Sequence, residues 1–138
     1  MVEGGILGVG IDLVDSERMR EALQRWGARF KDRVFLDRER KYCEVKADPS
    51  RHYAARFAVK EAVAKAFGTG LGAYMGWLDI EVVRDPARGE PSVLLSGRAA
   101  ETARRRRASR ILISMSHTRR FAVAQALVLG GMEPRSAS

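Results

Sequence analysis

The stretch Tyr53-Ala54-Ala55-Arg56-Phe57-Ala58-Val59-Lys60-Glu61-Ala62-Val63-Ala64-Lys65-Ala66-Phe67-Gly68 decides the fold. It is rich in alanine and other strong helix formers, and Gly68 supplies a left-handed stop. The helix is expected to begin near Ser50. Asp48-Pro49 breaks what precedes it, because the residue before a proline is pushed out of the helical region. Before that break, residues 36 to 47 read as a second, polar helix.

Towards the N-terminus the period shortens. Leu7, Val9, Ile11 and Leu13 alternate with Gly8, Gly10, Asp12 and Val14, the pattern of a strand with one apolar side and Asp12 on the other. The two glycines on Asp12's side let another backbone or a ligand come close to that carboxylate. Ser16 is placed to cap a helix in which Met19, Leu23, Trp26 and Phe30 form an apolar stripe and Gly27 stops or bends the run. Arg18, Ala22, Arg25 and Arg29 make the adjoining face basic.

Downstream, the loop Gly68 to Gly72 leads to a strand at about 78 to 84, a turn over Asp85 to Gly89 and a partner strand near 92 to 96. Residues 97 to 108 read as a surface helix, and Ile111, Ile113 and Met115 as a strand. Phe121 to Leu129 is the last strand. Its Ala122, Ala124 and Ala126 side is small enough for a helix to pack closely, and Phe121, Val123, Gln125, Leu127 and Leu129 take the other side. The expected architecture is one α+β domain over residues 1 to 130, with a frayed tail over 131 to 138.

A chain of 138 residues with 46% hydrophobic and 30% charged residues buries an adequate core without disulfides, and disorder of its bulk is excluded. Its 25 Lys+Arg against 17 Asp+Glu leave +8, which favours negatively charged partners. Cys43 is the only cysteine, so no internal disulfide or Cys-rich zinc site exists, and a reducing, cytoplasmic setting is expected. No signal peptide or membrane span is read.

Two carboxylates stand out. Glu61 precedes Lys65 by four residues, the spacing of a helix-surface ion pair. Asp12, after an apolar run, needs either a structural cation or a bound metal, and two carboxylates with water and phosphate oxygens commonly hold Mg²⁺. Lys60, Lys65 and the Gly68 to Gly72 loop could neutralise and cradle phosphates, or the loop could be a plain helix cap. Ser114-Met115-Ser116-His117-Thr118 ends a strand. Strand neighbours point to opposite faces and no Gly-x-Ser-x-Gly elbow is present, which argues against a Ser-His nucleophile. A polar ligand contact or a satisfied turn remains for these residues. Arg104 to Arg107 goes around a helix and reads as a solvated surface.

These residues resemble the small trimeric 4'-phosphopantetheinyl transferases, the holo-[acyl-carrier-protein] synthase class. The likeness lies in Gly8-Val9-Gly10-Ile11-Asp12-Leu13-Val14, Arg56 through Gly70, Asp79-Ile80-Glu81, Ser114-Met115-Ser116-His117-Thr118 and Ala122-Val123-Ala124. Glu90, where members often carry lysine, departs from it. The resemblance implies a small antiparallel sheet packed on one long helix with further short helices, and a homotrimer with active sites shared between subunits. It implies Mg²⁺ on Asp12 and Glu61, and Lys65 reaching the phosphates of coenzyme A. It also implies a coenzyme groove along Arg56, Gly68, Thr69, Gly70, Ser116, His117 and Thr118.

The implied reaction moves phosphopantetheine from coenzyme A to a serine of acyl carrier protein, in support of fatty acid biosynthesis. Glu61 would take the serine proton, directly or through water, and Lys65 would offset charge on the leaving oxygen. Arg18, Met19, Ala22 and Arg25 would form the dock for the acidic carrier protein. Two other classes compete: a basic nucleic-acid-binding module, for which no RNA-binding aromatic signature or helix-turn-helix is evident, and a noncatalytic nucleotide-binding trimer.

Overall fold

The first strand, β1 (Gly5–Asp15), lies with its backbone directly on the long helix, and its glycines are the reason. A Cβ at Gly8 would stand 1.8 Å from the carbonyl oxygen of Ala66, and one at Gly10 would stand 1.9 Å from that of Ala62. The computed structural model describes residues 4–131, so the expected tail beyond Gly131 lies outside the described residues.

After β1 come α1 (Ser16–Val34), α2 (Asp37–Glu44), the long α3 (Pro49–Ala66) and a short 3-10 turn (Trp77–Asp79). The hairpin β2 (Ile80–Arg84) and β3 (Pro91–Leu95), α4 (Gly97–Arg105), β4 (Ala108–His117) and β5 (Phe121–Gly130) complete the chain. One antiparallel sheet has the order β1-β5-β4, and β2-β3 form a second. The α+β fold with a small sheet on one long helix is as expected. Among the described residues, no helix is long and apolar enough to cross a membrane.

Helix α3 is buried on most of its circumference, the signature of a helix enclosed by the core rather than lying on it. Ala122, Ala124, Ala126 and Val128 of β5 press on it from the sheet, and Ile111, Ile113 and Met115 of β4 join them. A second apolar cluster holds α1 and α2 against α3 through Met19, Phe35, Tyr53 and the stacked Phe30, Phe57 and Trp77.

β1 and most of β5 turn glycine and alanine inward and their large residues outward, whereas β4 turns Ile111, Ile113 and Met115 inward. Ile6, Leu7, Val9, Ile11 and Leu13 are each at least 42% exposed. Along the register, Leu13 faces Val123 and Val9 faces Leu127, with Gln125 opposite Ile11 between them, so the outer side of β1 and β5 is mostly apolar, whereas that of β4 carries Arg110, Ser114 and Ser116. The apolar side read from the first strand is therefore the side turned away from the core.

Three local expectations change. Ser16 does not cap α1: β1 stays extended through Asp15, whose carboxylate accepts from the Glu17 N–H at 2.8 Å, and Ser16 opens the helix with its side chain buried. The backbone N–H groups at the helix start hold the Asp15 carboxyl below its ordinary range. The surface helix stops at Arg105, because Arg107 turns to φ +56°, so the arginine run does not circle a helix. Arg106 instead donates to the Phe67 carbonyl at 2.5 Å, tying this turn to the end of α3. Lys60 is fully buried and far from a phosphate-binding role: its Nζ donates to Glu39 Oε1 at 2.7 Å, the Val34 carbonyl at 2.6 Å and the Trp77 carbonyl at 3.0 Å.

The backbone contact of β1 on α3 generates a direct test. Gly10→Ala should lower stability by about 3 kcal/mol or more, since overpacking against a helix backbone cannot be relieved by side-chain rotation. Gly5→Ala, where nothing lies within 4 Å, should leave the urea midpoint unchanged.

Candidate active site

Two steps along β1 from Gly8 and Gly10, the same inward face presents Asp12. Lys65 of α3 reaches it, its Nζ donating to Asp12 Oδ1 at 3.0 Å and to the Ile11 carbonyl at 3.1 Å. Lys65 thus chooses Asp12 rather than Glu61, four residues earlier on its own helix. Asp12 and Glu61 line one open cleft of about 380 Å³, with Arg18, Met19 and Ala22 on its α1 wall and Phe30 and Phe57 beside them. Partial burial pushes the Glu61 carboxyl above its ordinary range, the Asp12 charge adds to the rise, and Lys65 opposes it. The cleft therefore holds two acids that repel each other, with the half-exposed Lys65 bonded to one of them. Arg25 lies outside it, with its guanidinium 5.1 Å from the ring of exposed Trp26.

The remaining expected residues fall at the two ends of α3. At the C-terminal end, Gly68 (φ +74°) closes the helix: its N–H donates to Lys65, and the Thr69 and Gly70 N–H groups both donate to the Ala64 carbonyl at 3.2 Å. These three amides are consumed by the helix cap, the plain-cap alternative read for this loop.

Near the N-terminal end, Arg56 is buried with its guanidinium 4.0 Å from the ring of Tyr42, and its Nε lacks a hydrogen-bond partner. His52 packs edge-on to Tyr42 at 5.9 Å and to His117 at 5.7 Å, bringing the strand end to Arg56's neighbourhood. Burial lowers the His52 pKa, and the charges of His117 and Arg56 lower it further. Ser116 is exposed, and the Thr118 hydroxyl accepts from the Phe121 N–H at 3.1 Å within the β4-β5 turn. His52 escaped the sequence reading, although its place four residues before Arg56 on a helix was a usable signal.

From His52 to Lys65 along α3 is roughly 20 Å at 1.5 Å per residue. The chain thus carries an acidic cleft near Lys65 and an Arg-His cluster nearer the start of α3, with Arg56 five residues, about 7.5 Å along the helix, from Glu61.

Residues 8–126 match the 4'-phosphopantetheinyl transferase superfamily, and the chain belongs to that family. Its curated relatives are holo-[acyl-carrier-protein] synthases. That of Koribacter versatilis is 42% identical over 123 residues, covering 89% of this chain and 98% of the relative. That of Desulforudis audaxviator is 44% identical over 128 residues, covering 93% and 96%. The crystal structure of the Helicobacter pylori holo-[acyl-carrier-protein] synthase in complex with coenzyme A has a TM-score of 0.77 to this chain at 30% identity. That match covers 87% of this chain and 98% of the other. The chain is accordingly an enzyme of the 4'-phosphopantetheinyl transferase class.

The position of Lys65 between the acids predicts a titration. Lys65→Met should move the Glu61 carboxyl midpoint further upward in the metal-free protein, as followed by carboxyl NMR. An unchanged or lower midpoint would show that Lys65 does not offset the Asp12 and Glu61 charges.

Proposed function

We propose that the protein transfers the 4'-phosphopantetheine arm of coenzyme A to a serine hydroxyl of apo-acyl carrier protein, releasing adenosine 3',5'-bisphosphate, and so supplies fatty acid synthesis. The observation that carries this reading is the convergence of Asp12, Glu61 and Lys65 on a cleft walled by Arg18, Met19 and Ala22. A reacting centre and a surface suited to an acidic, amphipathic partner share one opening.

Asp12 and Glu61 fit Mg²⁺, a hard cation that takes carboxylate oxygens together with water and phosphate oxygens. Burial first, and then the Asp12 charge, raise the Glu61 carboxyl, and a bound cation would offset both. Among the described residues no group of three His, Cys, Asp or Glu side chains is placed to hold a metal, so the substrate's own oxygens would complete the shell. Bound there, the ion would neutralise the diphosphate and polarise the phosphorus under attack.

The chain's own residues do the rest. The serine oxygen attacks the phosphorus, its proton passes to Glu61, and the electron pair of the broken phosphorus–oxygen bond goes to the leaving bisphosphate. Lys65, half-exposed and already reaching across the cleft, offsets the charge on that oxygen. Arg18 and Arg25 steer the carrier protein, and Met19 and Ala22 give it an apolar seat.

Arg56, His117, Ser116 and Thr118 would line the rest of the coenzyme groove with Gly68, Thr69 and Gly70. The loop would contribute shape rather than amide donors. The roughly 20 Å along α3 from His52 to Lys65, with the exposed apolar residues of the sheet, supports a homotrimer in which neighbouring protomers complete each groove.

Incubation with coenzyme A, Mg²⁺ and apo-carrier protein should yield carrier protein heavier by one phosphopantetheine in a mass spectrum. Asp12→Ala and Glu61→Ala should each reduce that rate by more than about 100-fold while keeping the fold, and full activity in either would refute the metal assignment. In a separate measurement, Arg18→Glu with Arg25→Glu should raise the KM for carrier protein about tenfold, with less effect at high salt, and leave that for coenzyme A unchanged.

A further inference from the structure

On the other side of the first turn of α1 from the acidic cleft lies a second cleft, of about 390 Å³, that the proposed reaction does not use. Arg20 of α1, Arg51 of α3, and Arg119 and Arg120 of the β4-β5 turn line it, so its cations come from three separate parts of the chain. Three buried side-chain atoms among the described residues lack a hydrogen-bond partner: Ser16 Oγ, Arg51 Nε and Arg56 Nε. Two of them, on Ser16 and Arg51, belong to residues lining this one cleft. Ser16 is only 3% exposed, so its hydroxyl has lost water without gaining a partner, a cost normally avoided.

The acids nearby only partly satisfy these cations. Glu17 pairs with Arg20 at 3.2 Å, and Asp48 Oδ2 is shared between Arg20 at 3.5 Å and Arg51 at 3.1 Å. The Arg51 contact is an ion pair without hydrogen-bond geometry. Asp15 stands 3.6 Å from Arg120, and Arg119 has no acidic partner among the described residues. The Ser16 backbone N–H is already given to the Arg120 carbonyl at 2.6 Å, which joins the turn to the helix start and holds the cleft's two walls together.

We propose that this cleft is a phosphate-binding site, separate from the coenzyme groove, that takes a tetrahedral phosphate group, free or as the end of a monoester. Guanidinium groups approaching from different directions and one hydroxyl donor match the several acceptor oxygens of such a group better than the flat pair of a carboxylate. The positive end of α1 adds to the attraction.

The test is a titration of the full chain with inorganic phosphate at constant ionic strength, followed by amide NMR, with methyl phosphate in a parallel arm to distinguish the free ion from an ester. Saturable shifts at Ser16, Glu17, Arg20 and Arg120 are expected. Arg20→Ala with Arg51→Ala should weaken binding about tenfold or more without changing transferase activity or the circular dichroism spectrum. Ser16→Ala, which removes only the hydroxyl, should weaken it in the same direction and decides the matter if the double variant misfolds. Unsaturable shifts, shifts confined to the surroundings of Lys65 or His117, or unaltered binding in the folded variants would overturn the proposal.

Discussion

The close approach of the first strand to α3 at Gly8 and Gly10 is the constraint on which the site depends. With glycine on one surface and Ala62 and Ala66 on the other, two backbones come closer than any side chain would allow. That proximity brings Asp12, two residues further on the same face, within 3.0 Å of a lysine on the helix. The alanines of β5 extend the same logic across the sheet, and they set its other property. Where β1 and β5 keep the inner face for small residues, their large apolar ones point outward, and the chain is left with exposed apolar side chains on that side of the sheet.

Adjacent residues 60 and 61 show how the helix is aimed. Lys60 turns inward to a buried ion pair with Glu39, and Glu61 turns to the cleft. Such a pair is costly to desolvate, and burial lowers the lysine's pKa even as Glu39 raises it. Here every polar atom is answered: Glu39 also accepts from Leu36 and from Val82, each at 2.9 Å, and Lys60 adds two carbonyls. The pair ties the end of α1, α2, the 3-10 turn and β2 to one point of α3. A rotation of the helix that moved Glu61 out of the cleft would strand that charge in the core.

Much of this was legible beforehand because it is local. The glycine pattern of β1 and the alanine pattern of β5, the proline break before α3 and the stop at Gly68 are each set by a residue's own backbone preferences or side-chain volume. What was illegible is what depends on partners distant in sequence. Lys60 and Lys65 look alike five residues apart, and only the packing of α2 decides that one is interior. Asp15 takes the cap from Ser16 because the strand stays extended one residue longer than the pattern indicates. Alternation in β1 separates two faces, but which face meets the helix follows from volume, not from hydrophobicity.

The distribution of charge along α3 bears on how the reaction would be organised. Glu61 and Lys65 stand in its C-terminal third beside Asp12 of the first strand, whereas Arg56 stands near its middle and His52, against His117 of β4, near its start. In the proposed reaction the carboxylates would hold a cation and accept a proton, and further positive charge beside them would depress the basicity asked of Glu61. A polyanionic substrate needs that positive charge all the same. Keeping the acids towards the C-terminal end of α3 and the Arg-His cluster nearer its start would meet both demands if the substrate passed from the cleft of one chain to the cluster of another. The uncovered sheet face offers the surface on which such neighbours would meet.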